Sequence, residues 1–117
     1  MAAHTSVMAY DIELADQIRA LVAQEDGITE KAMFGGLAFL LHGNMAVAAS
    51  GQGGLLVRVD PDVSEPLLDT PGAEPMVMRG RAMKGWLRVD RQADADDIGE
   101  WVERGVSFAR SLPPKQG

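Results

Sequence analysis

The sequence predicts an α+β protein. The expected architecture is a two-layer sandwich, one antiparallel sheet of about five strands with helices on one face, in the order α-β-β-β-α-β-β-α. Three observations carry that expectation. Apolar residues recur at spacings of three and four near both ends of the chain, the period of a helix lying on a core. Between Lys31 and Asp60 short apolar runs are separated by glycine-rich turns, the pattern of a meander. Met83 to Val89 alternates between two faces, the period of a strand.

The elements follow in order. Met1 to Ala9 are small and mixed and read as a loose terminus, in which Met8 offers a second start. Asp11 to Gln24 reads as a helix, with Asp11 as N-cap and Glu13 and Asp16 near the positive end of its dipole. Its predicted buried stripe is Ile12, Ala15, Ile18, Leu21 and Val22, and Gly27 is its stop. Ile28 to Glu30 reads as a connector. A first strand is predicted from Lys31 to Leu41, interrupted by a bulge or close backbone approach at Gly35-Gly36. His42-Gly43-Asn44 is a tight turn. Met45 to Ala49 forms a second strand whose small side chains suit close packing by a helix. Ser50 to Gly54 is a flexible turn, and Leu55 to Val59 a third strand, with Leu55, Val57 and Val59 on one face and Leu56 and Arg58 on the other.

Asp60 caps a short helix that has Pro61 at its first position and runs to about Leu68. Thr70 to Pro75 reads as a loop, Met76 to Met78 as a short edge strand, and Met83 to Val89 as the last strand. On that strand Gly85, Leu87 and Val89 face one way and Lys84, Trp86 and Arg88 the other. Asp94 to Leu112 is the final helix, buried through Ile98, Trp101, Val102, Val106 and Ala109 and stopped by Pro113-Pro114. The domain is therefore expected over residues 10–114, with 1–9 a loose terminus and 115–117 a tail.

Composition removes several classes of function. The 117 residues are 46% hydrophobic, enough for one modest core. No cysteine is present, which excludes disulfide staples, thiolate metal sites and cysteine nucleophiles. Eleven Lys and Arg stand against 17 Asp and Glu, a net charge of −6 that opposes non-specific attraction to nucleic acid or anionic membranes. The start lacks a basic region followed by a long apolar one, and no apolar run approaches the ~18 to 20 residues of a membrane span. The expectation is a cytoplasmic protein without membrane contact.

No catalytic or metal motif stands out. The glycine pairs precede strands, whereas a phosphate-binding loop precedes a helix. His4 and His42 lack the carboxylate or second-histidine spacing of a metal site, and no nucleophile elbow accompanies His42. The carboxylates gather at helix starts, where capping explains them. No cofactor, metal or catalytic residue is assigned, and an enzyme is not expected. Seven methionines, among them Met33, Met45, Met76, Met78 and Met83 in or beside strands, read as fillers of core gaps; the other use of such residues is an adaptable peptide groove.

The strongest departure from the acidic mean is Arg79, Arg81, Lys84, Arg88 and Arg91, opposed only by Asp90, with Trp86 between Lys84 and Arg88 on one strand face. Arg58 joins them if its strand lies beside theirs. Three readings fit: a solvated or internally packed face, a protein interface, or a stacking surface for nucleic acid.

The order and spacing of Lys31-Ala-Met-Phe-Gly-Gly36, Gly43-Asn44-Met45, Leu55-Leu-Val-Arg-Val-Asp60 and Met83-Lys-Gly-Trp86 resemble the N-terminal domain of TfoX/Sxy competence regulators. The resemblance runs from about Tyr10 to Pro114. It implies a fold similar to the type III secretion chaperones, an α/β two-layer sandwich. Met33, Phe34, Gly35, Gly36, Gly43 and Asn44 then look like fold determinants, and Arg58 stands where many relatives carry Lys. The longer family members promote competence genes in bacteria with a cyclic-AMP-responsive activator and carry a second domain; this chain ends near Pro114. Together with the acidic balance and the lack of a catalytic constellation, the resemblance points to a stand-alone, non-enzymatic regulatory or adaptor domain acting through protein contacts or self-association; the basic cluster of Arg79, Arg81, Lys84, Trp86 and Arg88 is its candidate partner surface. The alternatives are a nucleic-acid accessory using the same basic strand pair, and a small-molecule binder or enzyme whose site forms only in the fold.

Overall fold

The computed structural model describes residues 10–33, 35–51, 53–89 and 95–114. Its elements are α1 (Ile12–Leu21), β1 (Ile28–Met33), β2 (Gly36–Leu41), β3 (Asn44–Ala49), β4 (Leu55–Arg58), α2 (Pro61–Leu67), β5 (Ala73–Met78), β6 (Arg81–Val89) and α3 (Ala95–Ser111). The strands form one antiparallel sheet in the order β1-β2-β3-β4-β6-β5. This is the expected α+β class and element order with one strand added.

The added strand comes from the stretch predicted as a single strand over Lys31–Leu41. It is a hairpin: Ile28 pairs with Leu41, Met33 pairs with Gly36, and Gly35 adopts φ +77° in the turn. Gly35 thus marks a turn, not a bulge, and the predicted connector Ile28–Glu30 is the first half of β1. Thr29 to Ala32 are exposed, so this edge strand has no buried face and no alternation to reveal it. Phe34 lies outside the described residues. The other edge shows the same effect. Ala73–Pro75, predicted as loop, opens β5, and an edge strand tolerates Pro75 because the missing N–H can fall on the unpaired side.

The helical ends are as the capping residues dictate. Asp11 Oδ1 accepts from the Leu14 N–H at 3.1 Å, and the Asp60 side chain accepts from the Asp62 N–H at 2.9 Å with Pro61 at the start of α2. The buried face of α1 is Leu14, Ala15 and Ile18, followed by Val22; the predicted stripe is rotated, since Ile12 and Leu21 are half exposed. In α3 the expected stripe of Ile98, Trp101, Val102, Val106 and Ala109 is fully buried. These helical residues cover one face of the sheet, through Phe39, Val47, Val57, Leu87 and Val89.

Three of the motif residues, Gly36, Gly43 and Asn44, fix the two ends of β3. Gly36 runs so close to the end of β3 that an added Cβ would sit 2.3 Å from the Ala49 carbonyl oxygen. Gly43, at φ +85°, turns the chain into Asn44, which is buried and whose Nδ2 donates to the Pro113 carbonyl at 2.9 Å. The start of β3 is thereby tied to the segment that leaves α3. Among the described residues no helix is long and apolar enough to cross a membrane.

Candidate functional site

Strand alternation sends half of the sheet residues away from the helices. Ala38 of β2, Ala48 of β3, Leu56 of β4 and Arg88 of β6 share this second face. A cavity of about 330 Å³ lies there, lined among the described residues by all six strands and by the β3–β4 and β5–β6 turns, with no helical residue. In a flat sheet the first and last of six strands stand roughly 24 Å apart, five spacings of about 4.8 Å. Met33 of β1 and Met76 of β5 nevertheless line one cavity, so the sheet is strongly curled. Register shifts at Phe39/Leu40 and Pro75/Val77, together with Gly85 at φ +86°, supply the curvature.

Residue size explains the hollow. Gly36, Ala38 and Ala48 leave the space, while Met33, Met45, Met76 and Leu56 provide apolar lining. None of Met33, Met45, Met76 or Met83 belongs to the buried core, which corrects their reading as core fillers.

Two of the predicted site residues, Arg79 and Arg88, are the cations of this cavity. Arg79 sits in the β5–β6 turn at φ +55° and is exposed. Arg88 is half-buried; its Nη1 donates to Ser50 Oγ at 3.2 Å and its Nη2 to the Gly53 carbonyl at 3.0 Å. Both acceptors are neutral. The other members of the cluster lie elsewhere. Lys84 and Trp86 border a smaller cleft of about 110 Å³ against Ser64 and Glu65 of α2, and Arg81 is exposed. Arg91 lies outside the described residues. Trp86 meets a different cation. Its cation partner is Arg58, directly opposite it on β4, whose guanidinium lies 5.6 Å from the Trp86 ring centroid and 5.5 Å from that of Phe108.

Asp16, Glu25, Glu30 and Glu100 are engaged by other arginines. Arg19 meets Asp16 and Glu30, each at 2.6 Å, Arg110 meets Glu25 at 2.7 Å, and Arg104 approaches Glu100 at 3.9 Å. The hydrogen bond from Arg19 holds the Glu30 carboxyl below its ordinary range, and the bond to Glu25 raises the Arg110 guanidinium. Among the described residues no ion pair involves Arg79, Arg81, Lys84 or Arg88.

Among the described residues no group of three or more histidine, aspartate or glutamate side chains converges on a possible ion site. His42 is an exposed turn residue at φ +50° whose ring covers Gly27. The cavity escaped sequence reasoning because it depends on curl; its one sequence trace is the run of small residues facing methionines across β2 and β3.

Comparison with known proteins gives one match. Residues 20–109, from the end of α1 to the last turn of α3 and including the whole sheet, match the family model of the TfoX N-terminal domain. No curated protein and no solved structure matches the chain. The length of that match, over the same strands that carry the Met33–Gly36 turn and the Gly43-Asn44 tie, places the chain in the TfoX N-terminal domain family.

Proposed function

We propose that this competence-regulator-like domain is non-enzymatic and acts through protein contacts made by the β5–β6 hairpin. The observation that supports the reading is the composition of this edge. Val77 is 59% exposed and Met83 38%, and they share the hairpin with Arg79, Arg81 and Lys84 on a chain of net charge −6. Exposed apolar side chains beside arginine, on an unpaired strand edge, are the ingredients of an interface. The acidic remainder of the surface disfavours a polyanion and favours a protein partner bearing its own carboxylates.

A photo-reactive residue at position 77 tests the reading, with the same residue at Glu103 on the exposed side of α3 as control. The expected result is a discrete adduct at position 77 in cells, absent at position 103 and lost on Arg81→Glu with Lys84→Glu. No adduct at 77, or the same adducts at both positions, counts against it. Nucleic-acid contact through the same cations would instead give binding to a DNA duplex that weakens steeply with salt.

A further inference from the structure

We infer that the cavity on the helix-free face is a binding site for a small organic acid, a molecule with an apolar body and one carboxylate. The apolar body would lie against Met33, Met45, Met76 and Leu56, and the carboxylate on Arg88.

Four observations converge on this ligand class. The cavity, about 330 Å³, falls within the ~300 to 1,000 Å³ typical of small-molecule sites. Its lining is mostly apolar with few polar groups, the composition of a site that holds a hydrocarbon body and fixes it by one head group. The methionines can adapt to irregular shapes, being unbranched and polarizable. Arg88 is held in place by Ser50 and Gly53, yet among the described residues its acceptors are all neutral. A guanidinium keeps its charge at every physiological pH and offers five N–H donors in a planar fork matched to a carboxylate. A half-buried fork facing neutral acceptors beside an apolar hollow is complementary to an amphipathic anion. Arg79 places a second cation on the same cavity.

Shape favours a small molecule over a polypeptide segment. Residues of both sheet edges line the hollow, so the curled sheet gathers it into one space of about 330 Å³, the size of a small molecule and short for an extended polypeptide segment. Charge supplies selectivity. On a protein of net charge −6, this pair of arginines is a local attractor for one negative group, whereas extended polyanions meet the acidic remainder.

Titration of the full chain, carrying ¹³C-labelled methionine methyl groups, with octanoate, octanol and acetate tests the inference. Octanoate is expected to shift the Met33, Met45 and Met76 methyl signals saturably and to leave Met83 in place. Octanol and acetate are expected to bind about tenfold more weakly or less, since each lacks half of the recognition. Arg88→Gln is expected to reduce octanoate affinity to that of octanol. If that variant does not fold, the comparison of octanoate with octanol on the wild-type chain decides alone. Three outcomes overturn the inference: no saturable shift, shifts spread evenly over the methionines, or equal affinity for octanoate and octanol.

Discussion

Gly105 of α3 and Ala46 of β3 meet without room for a single methyl group: a Cβ on Gly105 would lie 2.5 Å from the Ala46 carbonyl oxygen and 2.8 Å from Val47 Cγ1. This contact sets how closely the helical layer approaches the sheet. Gly105→Ala gains helix propensity worth about 0.8 to 1 kcal/mol but forces an overpacking cost of about 1 to 3 kcal/mol. The carbonyl belongs to the backbone and cannot rotate away, so net destabilisation is expected, read as a lower urea midpoint. Gly99, on the same helix, has only Leu21 Cδ2 at 3.9 Å near its added Cβ. Gly99→Ala is expected to raise the midpoint through propensity alone.

Gly36→Ala presents the same conflict inside the sheet. Its Cβ would meet two backbone atoms, the Ala49 carbonyl oxygen at 2.3 Å and the Gly51 N at 2.9 Å. A loss of roughly 1 to 3 kcal/mol is expected. Because Gly36 also lines the cavity, the variant should lose octanoate binding even where it remains folded.

Asn44 is 3% exposed and spends an N–H on the Pro113 carbonyl. Asn44→Ala leaves that acceptor without its donor, at a cost of about 1 to 3 kcal/mol. Limited proteolysis is expected to cut after α3 sooner in the variant. Asn44→Asp should behave alike, since a carboxylate cannot donate this bond. Cleavage at the wild-type rate in both variants would remove the tie from the account of the fold.

Arg58 between Trp86 and Phe108 is a stacked cation shared by sheet and helix. A double-mutant cycle of Arg58→Met with Trp86→Leu is expected to show coupling of about 0.5 to 1 kcal/mol, typical of partly exposed cation–π pairs. Additive effects would mean that the indole only packs against the aliphatic stem of the arginine.

Acid stability should respond to Glu30. Its carboxyl is held below the ordinary range by the Arg19 hydrogen bond, so the folded state binds its proton less readily than the unfolded chain. The stabilisation is present above the unfolded carboxylate range and is lost as pH falls through the lowered folded value. Glu30→Gln should therefore lose less stability than wild type on acidification. Both side chains are substantially exposed, so the difference should be small and should shrink in high salt. A steeper acid loss in the variant would contradict the assignment.

Local physics made much of the fold legible. Asp11 and Asp60 cap where a short side-chain oxygen before an apolar period predicts a cap, and the α3 stripe from Ile98 to Ala109 is buried as its spacing requires. Leu87 and Val89 are buried while Trp86 and Arg88 stay partly exposed, as strand alternation dictates. The family signature around Met33-Phe34-Gly35-Gly36 was legible for the same reason, since turn and close-approach glycines are local requirements. Where burial is absent the pattern is silent, and β1 and the start of β5 escaped for that reason: an edge strand exposed on both faces carries no period.

The sequence by itself determined the α+β class, the caps, the buried stripe of α3, the cationic content of residues 79–91 and the family to which they belong. Only the tertiary structure decided how those cations divide, because strand pairing and curl are non-local. Pairing of β4 with β6 set Arg58 over Trp86, and curling of six strands brought Met33 and Met76 around one hollow with Arg88 beside it. These juxtapositions join residues up to 55 positions apart, from Met33 to Arg88 (88 − 33), a separation across which neither propensity nor periodicity carries information.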